Sequence, residues 1–147
     1  QSLDPRVLRA RALYLRDLPP APTDTDPREL PKPSGAVLDR GARLYERHCA
    51  SCHGTRGEGV KGAYPSLAGN RAVTMPTTAN LVQVVLHGGF PPATRGNPRP
   101  FGMPPFATTL SDADVAAVLT YIRVGWNNRA APVSEFDVTR QRSSARP

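Results

Sequence analysis

Four stretches of the 147-residue chain read as helices, three of them with apolar residues at helical spacing, separated by stretches rich in proline and glycine. The first opens at Asp4-Pro5, an N-cap followed by proline at the first helical position, where its missing N–H is harmless. Arg6 to Asp17 contains good helix formers and no breaker, so a short helix is predicted over 4–17. Its apolar positions form no clean stripe: Leu8, Ala12 and Leu15 lie on one side, Val7 and Tyr14 on another, with Arg11 between. Such a helix suits packing on the body of the protein or on a partner, and makes a poor membrane helix. Ser34 caps the second stretch, over about 35–48, where Val37, Gly41, Leu44 and His48 share a face. Thr77 or Thr78 caps the third, over about 79–87, with Leu81, Val84, Val85 and Leu86 as buried candidates before Gly88-Gly89 stops it. Ser111 caps the fourth, and Asp112 and Asp114 suit the positive end of its dipole. Val115, Val118, Leu119 and Ile122 then follow i, i+3, i+4, i+7, and Gly125 ends it.

Between these helices the chain is punctuated rather than periodic. Residues 18–33 hold six prolines, which lock φ and remove amide donors, so they read as an extended arm. Residues 90–109 hold six more and no helical period. Residues 127–147 are polar and arginine-bearing without a period, and read as an irregular tail. No internal repeat and no strand pair appears. The expected organisation is a helix and proline-rich arm over 1–33, an all-α domain over 34–126 and a tail over 127–147.

Composition narrows the class further. Only 39% of residues are hydrophobic and 17 are prolines, so a large core made of protein alone is not on offer. The net charge is +7, carried by 17 arginines scattered along the chain rather than gathered in a stripe. Nucleic-acid binding is therefore not expected, and docking onto acidic protein surfaces is the better use of this charge. Arg56, Arg95 and Arg99 are candidates for steering such a partner. No apolar run is long enough to span a bilayer. The chain begins at Gln1 rather than Met, which fits a mature chain whose export signal has been removed.

The chemistry concentrates in Cys49-Ala50-Ser51-Cys52-His53. C-x-x-C-H reads as a c-type haem attachment site, in which two thiols form thioethers to one porphyrin and the histidine binds its iron. A zinc site would need two further thiolate or imidazole ligands, yet the chain has two cysteines and three histidines. A redox dithiol would need a surrounding βαβ pattern, and an inert cysteine pair is the plain alternative. The loop Gly54-Thr55-Arg56-Gly57-Glu58-Gly59 lacks the preceding strand and the Lys-Ser/Thr ending of a phosphate loop. Its glycines are expected to let the backbone turn around the porphyrin edge. For the sixth iron position, Met103 in Phe101-Gly102-Met103-Pro104-Pro105-Phe106 sits in a rigid loop able to hold a thioether over the ring. Met75, before Pro76, is expected to pack at the haem edge. His87, His48 or an open site are the other options.

On these residues the chain resembles a class I cytochrome c over about 34–126. The resemblance rests on a helix into C-A-S-C-H, the Tyr64-Pro65-Ser66-Leu67-Ala68-Gly69 bridge, a middle helix, the Gly102–Phe106 loop and a final helix through Leu119-Thr120-Tyr121-Ile122-Arg123. It implies three main helices around one covalent haem c, with Gly41, Tyr45, Val118 and Tyr121 where the first and last helices cross. It also implies that the Pro65 carbonyl accepts a hydrogen bond from the ligand imidazole, fixing its orientation.

A narrower resemblance rests on Val85-Leu86-His87-Gly88-Gly89, Met103-Pro104-Pro105-Phe106, Leu119-Thr120-Tyr121-Ile122-Arg123 and Trp126-Asn127-Asn128. It is to the haem domains that accompany quinone-cofactor alcohol dehydrogenases and molybdenum hydroxylases of the bacterial periplasm. The single C-x-x-C-H departs from the multi-haem cytochrome subunits of membrane-bound alcohol dehydrogenases, and residues 1–33 match no recognised motif. The expectation is a periplasmic mono-haem cytochrome c, not itself catalytic, ligated by His53 and Met103. It would accept electrons from a dehydrogenase subunit and pass them to a downstream cytochrome or oxidase. The rivals are a freely diffusing shuttle, a haem sensor with a displaceable distal ligand, and a docking module whose haem only fills the core.

Overall fold

The computed structural model describes residues 4–17, 30–95 and 101–144. Prolines 19, 20, 22 and 27 of the arm, Arg99 and the last three residues of the tail lie outside them. In chain order the elements are α1 (Pro5–Asp17), α2 (Gly35–His48), α3 (Ala50–His53), α4 (Arg71–Thr74), α5 (Ala79–His87), α6 (Asp112–Val124) and α7 (Glu135–Ser144). The described residues contain no strand; isolated bridges pair Val60 with Tyr64 and Gly89 with Met103. The all-α class holds; α2, α5 and α6 fall where the periodicity puts them, and α1 where its Asp4-Pro5 start and run of helix formers do.

Caps explain the boundaries. Asp4 accepts from the Arg6 amide at 2.8 Å, and Ser34 accepts from the Val37 amide at 3.4 Å. Ser111 forms a reciprocal capping box with Asp114 at the head of α6. Arg40 on α2 reaches Asp114 at 2.8 Å, tying the two helices at the same end. Gly41 is buried where α2 crosses α6, and a Cβ there would run into the Ala117 carbonyl and the Tyr121 Cβ. Without one, the two backbones meet, and Tyr45 packs against the rings of Tyr121 and Trp126 at centroid distances of 5.7 and 4.9 Å. The Tyr45 hydroxyl donates to the Gly54 carbonyl at 2.6 Å, so this crossing also fixes the chain just beyond α3.

Helix α6 is buried on more sides than its i, i+3, i+4 stripe predicts. Ala116, Ala117 and Thr120 are buried beside Val115, Val118, Leu119 and Ile122. Ala117 lies against Gly41 of α2, the Thr120 hydroxyl bonds Val133, and α6 is also packed by α7, a helix inside the segment expected to be irregular. Ser134 and Asp137 form its capping box, with Ser134 Oγ accepting from the Asp137 amide at 3.1 Å and Asp137 accepting from the Ser134 amide at 3.2 Å. Val138, at 0% exposure, seats α7 in the core, a burial that contributes about 2 kcal/mol. In α5 the buried residues are Val82, Val85 and Leu86. Val84, expected in the core, instead faces a cavity.

Buried polar groups are matched. The Arg123 guanidinium, in the last turn of α6, donates to the carbonyls of Ala131 at 2.7 Å, Val73 at 2.5 Å and Met75 at 2.9 Å. Asn128 donates to the Leu67 and Ile122 carbonyls and accepts from the Gly69 amide. These two side chains hold α4 and the 64–70 bridge against the end of α6.

Candidate functional site

Helix α2 runs into the C-x-x-C-H segment with a single bend. The Cys49 amide still bonds the Tyr45 carbonyl at 2.8 Å, and α3 starts at the next residue. This brings Cys49, Cys52 and His53 to the lining of a cavity of about 450 Å³, with His48 beside them. Neither cysteine is in a disulfide, and both are half-buried. Burial, and secondarily the neighbouring Cys52, pushes the Cys49 thiol up to about 11, so it is neutral at ordinary pH.

The His53 ring is oriented from behind. Its Nδ1 lies 2.9 Å from the Pro65 carbonyl oxygen. A carbonyl only accepts, so Nδ1 carries the hydrogen, and in the neutral ring the lone pair is then on Nε2. The bridge holding Pro65 is itself pinned: the amides of Leu67 and Ala68 donate to the Gly57 carbonyl at 2.7 and 3.0 Å. The Gly59 amide donates to the His53 carbonyl at 2.7 Å. The glycine-rich loop thus does something other than expected. None of its residues lines the cavity. A Cβ on Gly57 would strike the Trp126 ring, and one on Gly59 the backbone of residues 64–66. Its glycines permit chain-on-chain packing behind His53.

Met103 reaches the same cavity from the other half of the chain. Its amide donates to the Gly89 carbonyl at 2.8 Å, and its carbonyl accepts from the Gly89 amide at 3.0 Å. The following residues occupy the open end of α5: the amides of Phe106 and Ala107 donate to the Val85 and Leu86 carbonyls, each at 3.0 Å. Those carbonyls lack partners within their own helix, so the methionine loop serves as the C-terminal cap of α5. Gly88, at φ +66°, allows the approach, because a Cβ there would meet the Met103 carbonyl and Pro104.

Met75 is placed elsewhere. It does not line the cavity and is 44% exposed, its backbone held by Arg123 rather than facing the pocket. The expectation that it packs at the haem edge is therefore corrected. His48 lines the cavity, its ring edge-on to Phe106 at 5.9 Å, while His87 is exposed at the end of α5. Arg56 and Arg95 are exposed.

Sequence reasoning missed the aromatic lips. Phe90 and Phe101 line the cavity at 81% and 54% exposure, and Phe101 stacks on Tyr64 at 5.1 Å. Exposed rings of this size around a concavity mark a binding site. The available signal was phenylalanine beside proline in segments with no helical face to bury it.

The residues present fit a covalently held haem. The cavity has the size of a cofactor site, its lining is mostly apolar, and it gathers two thiols, an imidazole with a free Nε2 and a thioether. Soft sulfur and imidazole nitrogen suit iron. Among the described residues no group of three or more His, Cys, Asp or Glu could hold another metal. An all-α fold whose first long core helix delivers C-x-x-C-H to such a cavity defines a cytochrome c domain.

Comparison with known proteins makes the membership specific. The chain belongs to the family described as cytochrome c oxidase, cbb3-type, subunit III, whose model matches residues 36–122. It is 35% identical to the cytochrome c subunit of a quinone alcohol dehydrogenase of Gluconobacter oxydans (strain 621H), over 95% of this chain and 31% of the relative. It is 37% identical to a gluconate 2-dehydrogenase cytochrome c subunit of Pantoea cypripedii, over 67% of this chain and 23% of the relative. It is 32% identical to cytochrome c-552 of Thermus thermophilus, over 60% of this chain and 69% of that protein. The chain thus spans about a third of the length of the alcohol dehydrogenase subunits it matches. A match over 95% of the chain leaves too few residues over to exclude the proline-rich arm, which therefore has counterparts in those longer proteins. The chain is an electron-transfer domain with covalently bound haem c. Among the described residues no helix is long and apolar enough to cross a membrane.

Proposed function

We propose that residues 34–126 form a periplasmic mono-haem cytochrome c module that accepts single electrons from a dehydrogenase and passes them to a downstream cytochrome or oxidase. In this reading Cys49 and Cys52 anchor the porphyrin, His53 and Met103 ligate its iron, and Pro65 orients His53. The observation that carries it is the convergence of His53 and Met103 on the one cavity that also holds both cysteines. When bound, haem supplies one-electron oxidation and reduction at its iron. The protein's part is to hold two ligands still. The Pro65 carbonyl fixes the imidazole, and the Gly89 pairing fixes the methionine backbone. Ligands that stay in place in both oxidation states keep reorganisation small, and a thioether partner raises the potential relative to a second imidazole. Phe101 and Phe106 limit water at the ring, and Phe90 offers a partner an apolar contact at the mouth of the cavity.

A dehydrogenase as donor is supported by the relatives, which include cytochrome subunits of quinone alcohol and gluconate dehydrogenases. The arm, residues 1–33, is then the segment for association, while α7 of the tail packs on α5 and α6. The test is gentle purification from the native periplasm, followed by addition of candidate alcohol or sugar-acid substrates to whatever co-elutes. A stoichiometric dehydrogenase whose substrate reduces the haem band is the expected result. A protein that elutes alone and exchanges electrons with several partners would replace this reading with a diffusible shuttle.

A further inference from the structure

Arg142 has no part in the site described above, yet each nitrogen of its guanidinium donates to the segment that carries Met103 into α6. Nη1 donates to the Ala107 carbonyl at 2.5 Å and Nη2 to the Leu110 carbonyl at 2.9 Å. Nε donates to Asp112 Oδ1 at 2.6 Å. Thr139, one turn earlier on α7, donates to Asp112 Oδ2 at 2.6 Å. Gln83 of α5 donates to the Gln141 carbonyl at 3.1 Å. A single turn of α7 therefore grips α5, the methionine loop and the first residue of α6. These are the three pieces whose relative placement sets where Met103 sits. Among the described residues, the loop's other backbone ties beyond its own turn are the Gly89 pairing and two amides on the end of α5.

We propose that α7, acting through Arg142, is a clamp that keeps the Met103 loop seated on α5 and so prevents the thioether from leaving the cavity. Arg142 is a positioning residue for the distal ligand. The thioether half of this inference rests on the reading of Met103 as the sixth ligand; the clamp on the loop does not. A planar fork with three aligned donors is what spans two carbonyls and a carboxylate at once, and a lysine would satisfy fewer of them. With the clamp released, loop opening becomes more frequent and an added ligand competes better for the iron.

The experiment uses the holo-protein and its Arg142→Ala and Arg142→Lys variants. The first readout is hydrogen exchange at the Phe106 and Ala107 amides, with the Cys49 amide on α2 as reference. The second is the affinity of ferric haem for added imidazole. For Arg142→Ala, Phe106 and Ala107 should exchange about tenfold faster or more, with Cys49 unchanged, and imidazole should bind about tenfold tighter. Arg142→Lys should fall between, and it carries the test if the alanine variant does not accumulate as folded holo-protein. Unchanged exchange at Phe106 and Ala107 in the variants overturns the clamp and leaves the ligand reading intact. Equal acceleration at Cys49 also overturns it, since Arg142 would then only stabilise the whole fold. A wild-type ferric spectrum without a thioether-to-iron charge-transfer band overturns the ligand reading instead, and with it the thioether half of the inference.

Discussion

Gly41 offers a prediction whose sign depends on two opposing terms. In the interior of an exposed helix, glycine to alanine gains about 1 kcal/mol, because alanine has less backbone freedom to lose. Gly41 is not in such a place. A Cβ built on it would overlap the Ala117 carbonyl and the Tyr121 Cβ, and a backbone atom cannot rotate aside as a long side chain can. Helix α2 would have to retreat from α6, loosening Tyr45 against Tyr121 and Trp126. Overpacking of this kind costs ~3 kcal/mol at the upper end of its usual range. Steric cost therefore exceeds propensity, and Gly41→Ala should lose about 2 kcal/mol. For a chain of this length that lowers Tm by about 4–8 °C. The assay is thermal unfolding of the holo-protein followed by far-UV ellipticity. Gly35→Ala is the control: Gly35 opens the same helix, but a Cβ there meets nothing within 4 Å. Its Tm should stay level or rise slightly. If Gly41→Ala melts with the wild type, the helix crossing is not closed by the missing Cβ and the packing argument fails.

Three further outcomes follow from the same contacts. Arg123→Met keeps much of the side-chain volume but strands the Val73, Met75 and Ala131 carbonyls, so it should destabilise by about 3 kcal/mol in urea titration; no shift in midpoint would show those carbonyls resolvated. The carboxyls of Asp112 and Asp114 are held below the usual range, chiefly by hydrogen bonds from Thr139 and Ser111 respectively and further by Arg142 and Arg40. A depressed carboxyl stabilises the fold above its unfolded value, near pH 3.9, and that stability is lost as pH falls through the lower folded value; the Asp112→Asn, Asp114→Asn double variant should show a shallower acid transition. In the haem-free chain the Cys49 thiol, pushed up to about 11, should alkylate with iodoacetamide at pH 8 roughly 10-fold slower or more than an unperturbed thiol; equal rates would show the site open.

What could be read from the sequence was what local chemistry dictates. Ser34, Ser111 and the period of α2, α5 and α6 fixed helices to within a residue, because caps and stripes are local signals. The C-x-x-C-H segment was legible for the same reason. Helix α7 was not, since Val138 is its one buried residue and supplies no stripe. Its Ser134-Glu135-Phe136-Asp137 head nevertheless repeats the Ser-x-x-Asp box that starts α6, and that signal was available. The seating of Met103 on Gly89 and the displacement of Met75 onto Arg123 depend on partners 14 and 48 residues away. The roles of Gly57 and Gly59 likewise depend on Trp126 and the 64–66 backbone, so composition alone pointed them at the wrong neighbour.

Met103 is proposed to complete the iron's coordination begun by His53, and single alanine variants at the two methionines put that assignment to the test. Ferric and ferrous absorption spectra would be recorded for wild type, Met103→Ala and Met75→Ala, with carbon monoxide added to each reduced form at neutral pH. The account predicts that Met103→Ala loses the thioether-to-iron charge-transfer band and binds carbon monoxide readily, while Met75→Ala retains the wild-type spectrum and resists it. An unchanged spectrum for Met103→Ala would contradict the account and move the sixth ligand to Met75 or a histidine.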